Sequence, residues 1–250
     1  MWPYPRVVAH RGGGKLAPEN TIAGLRCALA RGFRAVEFDV MLARDGVAVV
    51  MHDPYLGRTV AGSGNVCDYD AAELAQMDAG AWFGAQFRGE PVPLFTQFVQ
   101  FCKDNGIWMN IEIKPAPGFA VETGRVVARV TREMFADEIA AGEVASVPLL
   151  SSFSAPALAA AHAEAPQVAR GYLFDVLAPD WEAQARLLGA AALHVNQKNL
   201  TAALARQVRQ AGFGLFCYTV NEPERARELL SWGVDGFCTD RIDLIGPDFA

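Results

Sequence analysis

The sequence contains few cysteines, and their spacing does not indicate a disulfide framework. Five cysteines, an odd number, are scattered over 250 residues, and no two of them form a C-x-x-C pair. This pattern is typical of reduced thiols inside a cell, where a small buried side chain is the simplest role. The cysteine content therefore argues against a secreted protein held together by disulfides.

An excess of positive charge and long apolar runs are also missing. The 22 Lys and Arg residues face 28 Asp and Glu residues, so the formal net charge is −6 and no basic field exists for nucleic acid or an anionic membrane. No apolar run approaches the roughly 20 residues of a membrane span, and the N-terminal residues lack the pattern of a signal peptide. We expect a cytoplasmic protein with no nucleic-acid partner and no membrane insertion.

What the chain does have is a large hydrophobic fraction arranged in regular runs. Hydrophobic residues make up 52% of the sequence, which is enough for a single domain over residues 1–250. Apolar runs alternate with helix-like stretches, a pattern that favours parallel strands joined by crossover helices. One helix is predicted over residues 21–31, with Asn20 as its N-cap. The strand candidates are residues 6–10, 35–40, 47–52, 108–114, 147–153, 168–174, 192–195, 214–220 and 236–239.

Two neighbouring candidates, residues 35–40 and 47–52, are joined only by a short turn. A parallel crossover needs about a dozen residues, so these two are expected to form a hairpin or a bent extension, and only one of them counts towards a parallel ring. Eight strands then predict an α/β fold of the (β/α)₈ TIM-like barrel class, with its active site at the carboxyl ends of the strands. An open doubly wound sheet is the alternative, although no G-x-G-x-x-G motif follows the first strand.

Residues 53–90 interrupt this alternation and are rich in Gly, Asp and Ala. We interpret them as a small insertion after the second strand that lies over the barrel mouth, where barrel loops carry specificity. The aromatic residues Trp82 and Phe83 could grip the alcohol part of a substrate, and Phe83 is a candidate substrate contact. The alternative is that both rings only anchor the loop to the barrel.

Acidic side chains alternate with apolar ones at the end of the second strand. Glu37 and Asp39 lie on one face of that strand, opposite Phe38. An unpaired buried carboxylate costs several kcal/mol, so the two must be neutralised by a metal, by Arg or Lys, or by a shared proton. A hard cation is the simplest solution.

A later strand repeats the pattern, with Glu112 and Lys114 alternating against isoleucines. Glu37, Asp39 and Glu112 make an all-oxygen ligand set of the kind that Mg²⁺ or Ca²⁺ prefers, and no His or Cys cluster indicates structural zinc. The alternative is a salt-bridge network of the acids with Lys114 and Arg11.

Two histidines end apolar runs and should reach the same mouth. His10, followed by Arg11, ends the first run, and His52 ends the run after the hairpin turn. Two histidines beside a metal-bound phosphate suit an in-line displacement, in which one takes a proton from the attacking hydroxyl and the other protonates the leaving group. Arg11 and Lys114 would bind the non-bridging oxygens.

The other two histidines are weaker candidates. His162 sits in an Ala-rich helical stretch and is expected to face solvent. His194 could line the barrel interior without taking part in chemistry.

These residues lie in segments that resemble the glycerophosphodiester phosphodiesterase family. The segments are HRGGGKLAPENT (residues 10–21), AVEFDVMLARDGVAVVMHDPYLGRT (residues 35–59) and NIEIK (residues 110–114), and weaker matches continue to GVDGFCTDR near the C-terminal end. The resemblance implies a TIM-like barrel with a small insertion and a divalent cation. It also implies hydrolysis of deacylated phospholipids, such as glycerophosphocholine or glycerophosphoethanolamine, to sn-glycerol 3-phosphate and an alcohol.

Carried over residue by residue, the resemblance assigns roles that spacing alone leaves open. Glu37, Asp39 and Glu112 resemble the family's metal ligands, and His10 and His52 resemble the base and the acid. Arg11 and Lys114 resemble its phosphate contacts. Tyr218 stands where the family often has Trp, and a Tyr at this wall of the pocket could still stack on the substrate. Glu19 and Asn20 are expected to support the loop and the start of the helix.

Two other classes of protein compete with this interpretation. Phospholipase D-like toxins, which act on lysophospholipid or sphingomyelin, share the first-strand histidine, the paired acids and the second histidine, but they are secreted and disulfide-bonded. The segments NIEIK and GVDGFCTDR favour the glycerophosphodiesterases over them. A non-catalytic barrel that binds phosphorylated ligands would be expected to have lost a histidine or an acid, and none is lost here.

Overall fold

Eight parallel strands close into a ring in the computed structural model, which describes residues 2–250. The ring runs β1-β2-β4-β5-β6-β7-β8-β9 and returns to β1, and a ninth strand, β3, pairs with β2 from outside the ring. This closure confirms the predicted (β/α)₈ TIM-like barrel. The strands are β1 (Val7–His10), β2 (Ala35–Leu42), β3 (Ala48–Val50), β4 (Trp108–Ile113), β5 (Leu149–Ser152), β6 (Arg170–Phe174), β7 (Ala192–Asn196), β8 (Gly214–Tyr218) and β9 (Gly236–Thr239).

β2 and β3 form a hairpin, one of the two arrangements expected from the short turn between them. The two strands pair antiparallel, with Val40 opposite Val50 and Leu42 opposite Ala48. On its other edge, β2 pairs parallel with β4 over six residues, from Ala35 to Val40. Only β2 belongs to the ring, because β3 turns back and leads into the long connection to the next helix.

Helices follow the ring strands and cover the outside of the barrel. They are α1 (Ile22–Ala30), α2 (Ala71–Leu74), α3 (Phe95–Asp104), α4 (Ala120–Met134), α5 (Ala136–Ala140), α6 (Ala155–Glu164), α7 (Trp181–Leu187), α8 (Ala202–Gln210) and α9 (Pro223–Ser231). The main hydrophobic core lies between these helices and the outward-facing side chains of the strands, such as Val36, Phe38 and Ile111. Within residues 2–250, no helix combines the length and the apolar character needed to cross a bilayer.

The predicted N-cap of α1 is wrong by one residue. Thr21 caps this helix, because its hydroxyl accepts a hydrogen bond from the backbone N–H of Gly24. Asn20 has a left-handed backbone with φ of 58°, and its side chain turns away to bond Asp39. The asparagine therefore supports an acid on the neighbouring strand instead of the helix.

Residues 51–94 connect β3 to α3 and contain little regular structure. Besides α2 they form two short 3₁₀ turns, Val66–Asp68 and Ala85–Phe87. A second, smaller hydrophobic cluster anchors the segment to the hairpin and includes Met41, Val49 and Leu74. The segment returns Trp82 and Phe83 to the carboxyl end of the barrel, beside His10 and Arg11.

Candidate active site

Three buried carboxylates converge at the carboxyl end of the ring. The register of β2 and β4 places Asp39 beside Glu112, and Glu37 lies two residues earlier on the same face of β2. One oxygen of each carboxylate lies within 4.8 Å of an oxygen of the others. We call Glu37, Asp39 and Glu112 the carboxylate cage.

The acids of the cage respond differently to burial. Burial raises the pKa of Glu37 to about 7 and that of Glu112 to about 8, and in each case the negative charge of Asp39 adds to the rise. Burial also acts to raise the pKa of Asp39, but the adjacent Lys114 and Arg11 outweigh it and lower that pKa. Asp39 is therefore the anionic member, whereas the other two favour their protonated forms until another positive charge arrives.

The two nearby basic side chains both lie close to Asp39, and Arg11 also bonds Glu19 at 2.9 Å. The Lys114 Nζ atom lies 3.3 Å from one Asp39 oxygen and 3.6 Å from Glu112 Oε1. The Arg11 Nε atom lies 3.6 Å from the other Asp39 oxygen. The salt-bridge network considered as an alternative is thus present in part, but Lys114 and Arg11 do not supply enough positive charge to keep Glu37 and Glu112 ionised as well as Asp39. The all-oxygen donor set and this charge deficit fit a hard divalent cation.

His10 stands next to the cage and is held by an acid from the other end of the chain. Its Nδ1 atom lies 2.6 Å from Asp240 Oδ1, and its Nε2 atom lies 3.6 Å from Glu37 Oε2. Asn221 donates to the second oxygen of Asp240 at 3.0 Å, which fixes that carboxylate. Burial acts to lower the pKa of His10, but Glu37 and Asp240 outweigh it, so the pKa is raised.

His52 has the same arrangement with a different acid. Its Nδ1 atom lies 2.6 Å from Oδ1 of Asp53, the next residue in the chain. The pKa of His52 is lowered by burial and by the positive charges of Arg11 and Lys114, although the nearby Asp39 works in the opposite direction. Both histidines therefore bind a carboxylate through Nδ1 and keep Nε2 for another partner.

Four polar residues of this region were not among the predicted site residues with a chemical role. Asp53 and Asp240 orient the two histidines, and Glu19 and Arg58 connect the loops around them. The sequence does contain a signal for Asp240. This residue directly follows the apolar run of β9, just as His10 ends the apolar run of β1. Asp53 likewise adjoins a predicted histidine.

The two aromatic residues predicted to contact substrate line two different spaces that both border His10. Tyr218, at the end of β8, lines a cavity of about 30 Å³ together with His10, Glu37 and Glu112, and its hydroxyl donates to the Phe174 carbonyl at 3.0 Å. Phe83 and Trp82 line a wider cleft of about 360 Å³ that also contains His10, Arg11 and Lys15. The wider cleft has room for part of a substrate, whereas the cavity beside Tyr218 has only about the volume of a water molecule.

The remaining histidines stand apart from this chemistry. His194 is buried inside the barrel, its ring lies against Phe216, and burial lowers its pKa to about 3, so it is neutral. Its Nε2 atom, Asn110 Oδ1 and Ser151 Oγ are buried below the cage without a hydrogen-bond partner in the described residues. His162 is half-buried on α6 instead of fully solvent-facing.

The fold and these polar groups first define a class. A TIM-like barrel that gathers a carboxylate cage, two oriented histidines and two basic side chains at the carboxyl ends of its strands has the groups needed to hydrolyse a phosphate ester. The chain matches the model of the glycerophosphoryl diester phosphodiesterase family over residues 10–244, and it belongs to that family.

Named relatives are similar to this chain over nearly its whole length. The glycerophosphodiester phosphodiesterase of Caldanaerobacter subterraneus is 33% identical over 238 residues, which are 94% of this chain and 93% of that protein. Among solved structures, a phosphodiesterase of Oleispira antarctica in complex with the product sn-glycerol-3-phosphate is 34% identical, with a TM-score of 0.85 and coverage of 94% and 93%.

A glycerophosphodiester phosphodiesterase of Agrobacterium tumefaciens is similar to the chain as well. It is 28% identical, with a TM-score of 0.78, and the match covers 96% of this chain and 98% of that one. The chain is therefore an enzyme of the glycerophosphodiester phosphodiesterase class, as the sequence predicted, in a family that generally uses a divalent cation. These matches do not favour the phospholipase D-like alternative.

Proposed function

We propose that the enzyme hydrolyses glycerophosphodiesters such as glycerophosphocholine and glycerophosphoethanolamine to sn-glycerol 3-phosphate and an alcohol. One observation carries the proposal: the carboxylate cage lies between two histidines that are each oriented by an aspartate. The product bound to the Oleispira antarctica relative supports the same reaction here.

Glu37, Asp39 and Glu112 would hold Mg²⁺ or Ca²⁺. Both ions prefer oxygen ligands, and the raised pKa values of Glu37 and Glu112 indicate that the cage needs further positive charge. When bound, a divalent cation would polarise the phosphoryl group and stabilise the negative charge that grows on it.

His10 and His52 would carry the protons. Because Nδ1 of each ring is held by a carboxylate, each Nε2 is directed to the reacting groups, as in other His–Asp pairs. We assign His10 as the base that takes a proton from the attacking hydroxyl and His52 as the acid that protonates the leaving alkoxide. Glu37 and Asp240 raise the pKa of His10 and burial lowers that of His52, which by itself favours the reverse order. A cation on Glu37 would offset the carboxylate charge that raises the pKa of His10.

Arg11 and Lys114 would bind the non-bridging phosphate oxygens. Both lie close to Asp39, and Glu19 holds the Arg11 guanidinium through a hydrogen bond of 2.9 Å. Phe83 would contact the substrate in the wider cleft beside His10, and Tyr218 would contact it from the end of β8.

An activity assay tests this proposal directly. Purified protein with Mg²⁺ or Ca²⁺ should release glycerol 3-phosphate from glycerophosphocholine or glycerophosphoethanolamine, and EDTA should abolish release. His10→Ala should lower kcat by about 10²- to 10⁴-fold, the usual effect of removing a general acid or base. The matched control is His162→Ala, which removes a histidine on α6 and should leave kcat unchanged.

Undiminished turnover in EDTA would contradict the cation assignment. Release of product from sphingomyelin or lysophospholipid, with none from glycerophosphodiesters, would instead support the phospholipase D-like alternative.

The same assay assigns the two proton-transfer roles. A glycerophosphodiester whose alcohol is p-nitrophenol needs little protonation of its leaving group. Loss of the general acid should therefore be largely rescued on this substrate, whereas loss of the base should not. We expect rescue of His52→Ala but not of His10→Ala, and the opposite pattern would exchange the roles.

A further inference from the structure

Arg58 is an arginine of the connection between β3 and α3 that bonds two different carboxylates. Its Nε donates to Asp53 Oδ2, and its two terminal nitrogens donate to the two oxygens of Glu19 at 2.8 and 2.6 Å. Asp53 lies just after β3, whereas Glu19 belongs to the loop between β1 and α1. One guanidinium therefore joins two loops that are far apart in sequence.

Each of these carboxylates has a second partner in the candidate active site. The free oxygen of Asp53 contacts His52 Nδ1 at 2.6 Å. Glu19 Oε1 accepts a further hydrogen bond from Arg11 at 2.9 Å. The contacts thus form a continuous hydrogen-bonded series that runs through His52, Asp53, Arg58, Glu19 and Arg11. Within residues 2–250, no hydrogen bond joins Glu19 directly to Asp53, so Arg58 is the link between them.

The geometry of this link depends on the shape of a guanidinium. The side chain of Arg58 is 42% exposed, and an exposed ion pair with a single contact would contribute little. Here the two terminal nitrogens of the planar guanidinium donate to both oxygens of Glu19, and Nε donates to Asp53. These contacts fix the orientation of the two carboxylates as well as their distance from Arg58. A lysine carries the same charge but cannot make this set of parallel contacts.

Arg11 needs such support. Its backbone has a φ of 52°, in the left-handed region that residues other than glycine rarely occupy. Conformations of this kind persist where the surroundings hold them. The backbone N–H of Arg11 is held by Glu37, and its guanidinium is held by Glu19, which Arg58 fixes in turn.

We propose that Arg58 is a positioning residue that couples the proton-transferring His52 to the phosphate-binding Arg11. The proposal rests on the functions proposed above for these two residues. Arg58 itself touches neither histidine nor substrate, so it acts only through Asp53 and Glu19.

A double-mutant cycle isolates this coupling. Asp53→Asn and Glu19→Gln are made singly and together, and kcat/KM is measured for glycerophosphocholine hydrolysis. With Arg58 present, the effects of the two changes should be non-additive. The fold-loss of kcat/KM in the double variant should be at least about threefold smaller than the product of the two single fold-losses, because both changes interrupt the same series of contacts. When Arg58→Gln is also present, the fold-losses of kcat/KM caused by the two changes should simply multiply.

Two further variants separate geometry from charge and from general stability. Arg58→Gln should lower kcat/KM by about tenfold or more, the loss typical of groups that orient a residue of the active site. Arg58→Lys should not restore kcat/KM. The control is Arg44→Gln. Arg44 is also exposed, and it bonds Asp70 and Glu73 at 2.9 and 3.0 Å away from the carboxylate cage. Its loss should leave kcat/KM within about twofold.

Melting curves of all variants show that activities refer to folded protein. Additive effects of Asp53→Asn and Glu19→Gln with Arg58 present would overturn the proposal, and so would full rescue by Arg58→Lys. Failure of the proposed function would be seen separately, as absence of glycerol 3-phosphate release by the unaltered enzyme.

Discussion

The two ends of the barrel use the same strands for opposite purposes. At the carboxyl end, β2 and β4 place Glu37, Asp39 and Glu112 in the interior, where burial raises the pKa of two of them. At the amino end, the same strands place Ala35 and Trp108 in an apolar cluster. Aromatic rings close this end: Trp2 stacks on Phe216 with centroids 5.8 Å apart, and Tyr4 stacks on Trp108 at 4.6 Å.

The difference shows where the enzyme is stabilised and where it carries unfavourable groups. Buried aromatic surface at the amino end is favourable without any ligand. The carboxylate cage is unfavourable until something positive enters it. Glu112 lies only four positions after Trp108 on β4, so one strand meets a structural requirement at one end and a chemical requirement at the other. Conditions that alter charge should therefore affect one end and leave the other unchanged.

Removal of a ring from the amino end should have the largest effect on stability. Trp108 is buried, and its indole N–H donates to the Val147 carbonyl at 3.1 Å. Trp108→Ala should lower the free energy of unfolding by about 3–5 kcal/mol, measured by urea denaturation, while kcat per folded molecule stays unchanged. The matched control is Trp82→Ala at the other end, where the side chain is 44% exposed and a much smaller loss of stability is expected.

Equal losses of stability for the two tryptophan variants would contradict the proposed difference between the two ends of the barrel. A large fall in kcat for folded Trp108→Ala would contradict it as well, because the amino end would then contribute to the chemistry.

The carboxyl end should make the stability of the cation-free enzyme depend on pH. Folding raises the pKa of Glu37 to about 7 and that of Glu112 to about 8, from an unfolded value of about 4.3. Groups with a raised folded pKa contribute stability that is complete below the unfolded pKa and is lost as the pH rises through the folded pKa. In EDTA, the free energy of unfolding should therefore fall between about pH 5 and pH 9. Urea denaturation across this range measures it.

Two controls sharpen this prediction. Glu112→Gln removes one of the two groups and should reduce the pH dependence, and saturating Mg²⁺ or Ca²⁺ should flatten it because the cation replaces the protons. A stability that rises with pH in EDTA, or an unchanged slope in Glu112→Gln, would contradict the charge deficit of the cage.

Local pattern was sufficient to predict most of the fold. Alternation on β2 and β4 placed three acids on inward faces because side chains of a strand point alternately to its two sides. The short turn after β2 predicted a hairpin or a bent extension, and the structure contains the hairpin. Strand ends were less predictable: the apolar run at 147–153 gives a strand only over Leu149–Ser152. The apolar run is longer than the strand because apolar residues continue beyond the hydrogen-bonded ladder.

The partners of the histidines could not be predicted in this way. His10 meets Asp240 only because β1 pairs with β9 and closes the ring, a contact across 230 positions of sequence. The misplaced N-cap has a similar cause. Asn20 has the right chemistry for a cap, but a long-range contact with Asp39 uses its side chain and the cap passes to Thr21. Long-range partners decide the details of this site, whereas local pattern decides its location.

Calorimetric titration of Mg²⁺ or Ca²⁺ into the cation-free enzyme tests the central claim, that the cage of Glu37, Asp39 and Glu112 holds a hard cation. We expect one cation per chain and loss of that binding in Asp39→Asn, whose carboxylate belongs to the cage and contacts Lys114. Unchanged binding in Asp39→Asn, or no binding to an enzyme that still hydrolyses glycerophosphodiesters, would contradict it.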